Sequence, residues 1–473
     1  MFSEANLPLV DWLDMPDPLR ALRALLPLPH PFLLHSSLID DRSRWSFFGA
    51  DPFAVFSGED HERARAKYRE ISTTARKEAA VPTVVPFTGG VVGYWSYDFG
   101  RRLERLPSRA VDDLGLPEFV LGFYDVVGAY DHLSRQAWLF SSGLPHKGPR
   151  RHGRAQRRLE RFMALLSAVP APHERSRLEP LEAVAHSTFH PDDYRRAVEQ
   201  VQEHIRRGDI FQANLSQRWK LDLDPVDARG VAPDLMEALA RRSPAPFAAY
   251  FGAPDHAIVS ASPERFLELR GRHVETRPIK GTRPRSSDPV EDARLSVELK
   301  ASAKDRAENI MIVDVLRNDL GRVCSAGSVE TRALCELEVF PQVFHLTSTV
   351  TGRLREGLDA FDLLDACFPG GSITGAPKIR AMEILDAIEP VRRHFYTGSL
   401  GYIDWLGDAD WNIAIRTALV TPRSLWFATG GGITADSDPD AEYIETLHKA
   451  EGMRLALCET LGQMELGAGQ VHA

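Results

Sequence analysis

Glu275-Thr276-Arg277-Pro278-Ile279-Lys280-Gly281-Thr282 is the stretch on which the reading of this 473-residue chain turns. Val274, Thr276 and Pro278 alternate with other side chains, which predicts a strand. A second strand-like run, A-I-V-S-A-S-P-E-R-F-L-E-L from Ala257 to Leu269, lies just upstream. Arg270-Gly271-Arg272 between the two reads as a hairpin turn. About a turn at Gly271 and Arg272, antiparallel partners have numbers that sum to about 543. Lys280 then faces Pro263, and Glu264 is its immediate neighbour. An amine and a carboxylate therefore meet at the end of a hairpin, where loops gather.

An amine attacks only when unprotonated, so a nucleophilic Lys280 needs burial or a neighbouring cation to lower its pKa. Glu264 is the matching candidate for carrying a proton. The competing account makes Lys280 one charge in a solvated run with Arg277, Arg283 and Arg285, because lysine is nearly always exposed.

Composition narrows the function classes. Hydrophobic residues make up 43% and charged residues 26%, ordinary for a globular protein long enough for two or three domains. A net charge of -9 with no strongly basic domain argues against nucleic-acid binding. No run of about 18 apolar residues occurs, so no membrane span is expected. Glu4, Asp11 and Asp14 near the start are unlike a basic signal region, and the expected location is cytoplasmic. Cys324, Cys335, Cys367 and Cys458 show neither a C-x-x-C pair nor zinc spacing and read as reduced thiols.

Three regions are expected: a strand-rich region over 1–145, a Pro- and Gly-rich linker over 146–188 that carries a basic surface helix with a solvated face, and a region over 189–466 in which the helix and strand signals sharpen. The last opens with a helix from Pro191 to Arg207. It continues through a long helix from about Asp292 to Arg317, a helix at Ala360–Cys367, strands around 396–404, 411–421 and 424–430, and a final helix from about Asp440 to Leu461.

Two helices each present acids at i, i+3: Asp305 with Glu308, and Glu442 with Glu445. Carboxylates converging from two helices suit a hard cation such as Mg²⁺. The competing account is solvated surface, with Lys449 four residues after Glu445 forming an ordinary ion pair. Gly370 to Lys378 fails the P-loop pattern, since Ala376 stands where Lys is required. It reads instead as a Gly-rich turn leading into a helix that offers N–H groups to an anion, and Gly430-Gly431-Gly432 offers another. Arg416 sits in a mostly apolar run and needs a partner, either a structural acid or a substrate carboxylate. His345 reads as a satisfied core histidine or a site residue.

Taken together these stretches resemble the chorismate-utilising enzymes, and among them the synthase subunit (component I) of aminodeoxychorismate synthase. The resemblance rests on G-D-I-F-Q-A-N-L-S-Q-R from Gly208, S-A-S-P-E-R-F from Ser260 and T-R-P-I-K-G-T-R-P from Thr276. It rests equally on D-R-A-E-N-I-M-I-V-D-V-L-R-N-D-L-G from Asp305, F-P-G-G-S-I-T-G-A-P-K from Phe368 and G-G-G-I-T-A-D-S-D-P-D-A-E-Y from Gly430. Anthranilate synthase is similar throughout but has P-I-A-G-T where this chain has P-I-K-G-T. Isochorismate and salicylate synthases have a lysine base where this chain has Gln212.

The resemblance implies an α+β fold, two antiparallel β-sheets packed as a sandwich with helices outside and the site in a cleft between them. It implies formation of 4-amino-4-deoxychorismate from chorismate and ammonia, for p-aminobenzoate and folate synthesis, through a covalent Lys280 adduct, with Glu264 as proton donor and His345 in support. Mg²⁺ is implied at Glu308 and Glu445 directly, and at Asp305 and Glu442 through waters. Arg416, Tyr402, Lys449, Thr374 and the N–H groups near Gly431 and Gly432 are implied in substrate binding. No glutaminase nucleophile is legible, so ammonia is expected from a separate glutaminase subunit. The rival readings are anthranilate synthase component I and a non-catalytic chorismate-binding regulatory subunit.

Overall fold

The computed structural model describes residues 7–15, 17–39, 43–78, 84–168, 183–223, 228–340 and 343–467. Among these residues two mostly antiparallel sheets dominate, one of 13 strands and one of 10. Strands such as Gly90–Trp95, Phe119–Tyr124 and Ala257–Ser262 are buried at every position. Their continuous apolar runs follow from cover on both faces. One core lies between the sheets and includes Phe32, Phe47, Tyr94, Ile258, Leu400 and Ala428. A second backs the larger sheet, where the helices Ala228–Arg242 and Pro439–Leu461 pack. A third backs the smaller sheet, under the helices His61–Glu78, Ala303–Gly321 and Ala360–Cys367. This is the expected α+β sandwich.

Both sheets mix strands from either end of the chain. Phe32–His35 pairs with Phe247–Gly252 in the larger sheet, and Gly90–Trp95 pairs with Ser399–Asp404 in the smaller. The basic helix Pro149–Ser167, expected as a surface helix in a linker, buries Ala155, Leu159, Phe162 and Leu166. Its Arg154 and Arg158 reach the fully buried Asp125 at 2.9 Å each. Residues 169–182 of the expected linker lie outside the described residues.

The decisive hairpin forms in the expected register: Glu268 opposite Glu275 and Leu269 opposite Val274. Two details differ. The run Ala257–Leu269 is not one strand. It breaks at Pro263-Glu264, where the chain crosses from Ala257–Ser262 in the larger sheet to Arg265–Arg270 in the smaller. Pairing within the hairpin ends at Glu275, and Ile279–Pro284 runs on beside Val343–Arg353, which already flanks His273–Thr276. Lys280 therefore does not pair with Pro263. The expected long helix is also two, Pro289–Ala301 and Ala303–Gly321, because Ser302 adopts an extended conformation and caps the second.

Candidate active site

Glu264 owes its position to the sheet-to-sheet corner. Ser262 anchors that corner by donating to the carbonyl of Ile413 at 2.6 Å, and the Ile413 N–H donates to the Glu264 carbonyl at 3.0 Å. Lys280 owes its direction to a bulge. Ile279 pairs with Thr347 and Thr282 with His345, so the register slips between them, at Lys280-Gly281. A bulge re-aims a side chain. Gly281 adopts φ +82°, a left-handed conformation that glycine enters without a Cβ penalty.

The two side chains open into a cavity of about 580 Å³. Its wall includes Lys280, Glu264, His345, Arg416, Lys449, Gly432 and all four helix carboxylates, Asp305, Glu308, Glu442 and Glu445. Gly431 lies against that wall: a Cβ there would stand 2.9 Å from Glu442 Oε2 and 3.6 Å from Glu445 Oε1. A Cβ on Gly432 would stand 3.7 Å from Glu308 Oε2 and 2.0 Å from Gln212 Nε2. Added side chains at these two positions would crowd Glu442 and Gln212, so the glycines leave room for the carboxylates beside the strand Ser424–Ile433.

Burial dominates the electrostatics. It lowers the Lys280 pKa below its ordinary value, against the pull of Glu308 and Glu264. It raises Glu264 to about 7, against the Ser372 hydroxyl, the Lys280 ammonium and the Ile279 N–H. The pair thus approaches neutrality from both sides, as an amine nucleophile and a proton donor require. Burial also raises Glu308 and Glu442. On Glu445 burial opposes the Lys449 ammonium, which wins and holds the carboxyl low. Lys449 sits 2.7 Å from Glu445 and also donates to the Gly430 carbonyl at 2.8 Å. The ordinary i, i+4 ion pair exists, and it lines the cavity. Arg283 approaches Asp305 at 3.3 Å, and Ser437 donates to Glu442 at 2.6 Å. Among the described residues, no group of three or more His, Cys, Asp or Glu side chains is gathered closely enough to hold a metal by itself.

Arg416 has no ion pair or hydrogen bond from its guanidinium among the described residues. It faces the cavity with φ +49°, at the turn between Ala409–Asn412 and Thr417–Val420. Water reaches it through the cavity, yet protein surrounds it, and burial lowers its pKa. No structural acid satisfies it. His345 hydrogen-bonds Thr282 Oγ1 through Nδ1 at 2.9 Å, and burial, with Arg416 nearby, lowers it to about 4, so the ring is neutral.

Two expected substrate residues lie elsewhere. Tyr402 lines a separate pocket of about 80 Å³ with His35, Trp45, Arg270 and Asp410. Its ring packs in the core between the sheets, 5.8 Å from the Arg270 guanidinium carbon. Thr374 is fully buried and donates its hydroxyl to the Gly370 and Gly371 carbonyls, so it is absent from the cavity wall. The Gly-rich turn presents Ser372 and Ile373 instead. Helix Lys378–Ile388 does follow it, but the Lys378 amine is held by Asp319 at 2.6 Å and by the Cys367 carbonyl. Tyr396, Asn214 and Lys304 line the cavity and were not singled out from the sequence. Tyr396 lies in an irregular turn with no periodicity to mark it. Lys304 was legible as the cation next to Asp305.

Residues 31–454 match the chorismate binding enzyme family. Aminodeoxychorismate synthase component 1 of Klebsiella aerogenes is 44% identical over 365 residues, 77% of this chain and 76% of that protein. Anthranilate synthase component 1 of Streptomyces coelicolor is 42% identical over 397 residues, 82% and 76% of the two chains. The crystal structure of anthranilate synthase component I from Streptococcus pneumoniae superposes with a TM-score of 0.76 at 29% identity, covering 88% of this chain and 93% of that one. Among the described residues no helix is long and apolar enough to cross a membrane. The cavity that gathers Lys280, Glu264 and four helix carboxylates thus lies within the matched span, and the chain belongs to the family of chorismate binding enzymes.

Proposed function

We propose that this chain converts chorismate and ammonia to 4-amino-4-deoxychorismate. Overall identity does not separate that reaction from anthranilate formation, since relatives of both kinds stand at 44% and 42%. The observation that favours it is Lys280, an amine held below its usual pKa and facing the cavity beside a carboxyl held at about 7.

Neutral Lys280 Nζ bonds to ring C2, the ring double bonds shift, and the C4 hydroxyl leaves as water with the Glu264 proton. Ammonia then bonds to C4 and the C2–Nζ bond breaks, returning Lys280 neutral. The excess proton on the new amine restores Glu264. Splitting one displacement into two is the ordinary advantage of covalent catalysis. Arg416, Lys449, Tyr396 and N–H groups near Gly431 and Gly432 hold the enolpyruvyl carboxylate, and neutral His345 helps orient the ring.

The donor set admits Mg²⁺. Every candidate ligand is a carboxylate oxygen, and Mg²⁺ takes oxygen ligands and keeps several waters. Among the described residues these carboxylates do not form a complete ligand set by themselves, so water and substrate would have to supply the remaining ligands. Glu308 and Glu445 would hold the ion directly, with Asp305 and Glu442 acting through waters. When bound it neutralises the ring carboxylate of the substrate.

Ammonia comes from a separate glutaminase subunit, and the product feeds p-aminobenzoate and folate synthesis in the cytoplasm. Incubation with chorismate, Mg²⁺ and ammonium tests the reading. A product that a lyase converts to p-aminobenzoate is expected, and it should vanish in Lys280→Ala. Fluorescent anthranilate from the unaltered chain would favour the rival enzyme. No turnover despite chorismate binding would favour a regulatory subunit.

A further inference from the structure

Three ammonium groups face the four helix carboxylates, and they are not equivalent. Lys449 is fixed by Glu445 and the Gly430 carbonyl. Lys280 is enclosed by protein and held in its bulge. Lys304 stands at the cavity wall with 54% of its side chain exposed. Among the described residues its one ion pair is a loose approach of 4.0 Å to Glu442 Oε1. It also lies near enough to Glu308 and Glu445 to favour their ionised forms. Its place on the first turn of Ala303–Gly321, next to Asp305 and one turn before Glu308, keeps its amine within reach of both acid pairs.

We propose that Lys304 is a displaceable counter-cation: its ammonium balances Glu308, Glu442 and Glu445 until a divalent cation enters, and then swings into solvent. The inference rests on the reading that a divalent cation binds these carboxylates. An exposed ammonium at 4.0 Å is weakly held, so a dication displaces it readily. Because lysine and metal exclude each other, each must weaken the binding of the other by the same factor. Lys304 therefore keeps the acid pairs together before the metal arrives and moderates metal affinity.

The test measures Mn²⁺ binding to the full chain by electron paramagnetic resonance, without chorismate and at low salt. Lys304→Met should bind Mn²⁺ about fivefold or more tightly than the unaltered chain. Its melting temperature in EDTA should be lower, and saturating Mn²⁺ should close that gap. Lys304→Gln should behave the same way and replaces the Met variant if that one aggregates. Lys304→Arg should keep both original values. Equal or weaker Mn²⁺ binding in the neutral variants overturns the proposal while leaving the metal reading intact. No Mn²⁺ binding by the unaltered chain overturns both.

Discussion

At the scale of single residues, Lys280 and Glu264 set opposite demands on pH. Lys280 must be neutral to attack, so its protonation costs rate at low pH. Glu264 must be protonated to donate, so turnover should fall as pH rises through about 7. In Glu264→Gln that upper limb should disappear and turnover should fall by roughly 10²–10⁴. The same residue gives a stability prediction of definite sign. Its folded pKa of about 7 exceeds the ordinary 4.5, so its contribution to stability is fully present below 4.5 and is lost as pH rises through 7. Glu264→Gln should therefore stabilise the protein at pH 8 by about 3 kcal/mol, a gain that disappears near pH 4. Urea melts of both chains at the two pH values check this, and equal stabilities at pH 8 would contradict the burial argument. The amine–acid pairing was legible from the hairpin, but through the wrong contact. Proximity comes from the corner at Pro263-Glu264 and the bulge at Lys280, and neither follows from alternation. Tyr402 was implied in substrate binding by the resemblance alone, and its ring packs in the inter-sheet core.

At the scale of elements, the helix Ala303–Gly321 holds one acid pair and depends on its first turn. The Ser302 hydroxyl accepts the Asp305 N–H at 3.2 Å and ends the preceding helix at the same residue. Ser302→Ala should cost about 1 kcal/mol, the usual worth of such a cap. It should also weaken Mn²⁺ binding, because Asp305 and Glu308 lie within the turn that loosens; a calorimetric titration would show it. The break escaped the sequence reading because both halves share strong helix formers, and one serine among them reads as a tolerated interior residue. The helix Pro149–Ser167 carries the opposite lesson. Its arginines suggested a solvated face, but Arg154 and Arg158 turn toward buried Asp125 while Leu159 and Phe162 enter the core. Phe162→Ala should destabilise the protein by about 3–5 kcal/mol in denaturant melts. A surface helix in a linker would lose almost nothing.

At the scale of the whole molecule, the sheets decide what can fold alone. The boundary near residue 188 marks a change of composition, but hydrogen-bonded ladders cross it in both sheets. Removing residues 1–168 would strip one of the two partners from Phe247–Gly252 and from Ser399–Asp404, leaving an unpaired edge in each sheet. It would also uncover Ile258, Leu400 and Ala428, which pack against Phe32, Phe47 and Tyr94 in the inter-sheet core. Exposed apolar edges template aggregation. Residues 183–473 expressed alone should therefore be insoluble although they contain every candidate catalytic side chain, and co-expression with residues 1–168 should restore a soluble complex. The cavity explains why the first part matters to chemistry that it does not line. Glu264 sits where the chain passes between sheets, so the spacing of the sheets fixes its distance from Lys280 and the helix carboxylates. That spacing is set by a core to which both parts contribute. A soluble, chorismate-converting fragment 183–473, measured by yield and by the same amine-transfer assay, would show that the later strands close the core unaided.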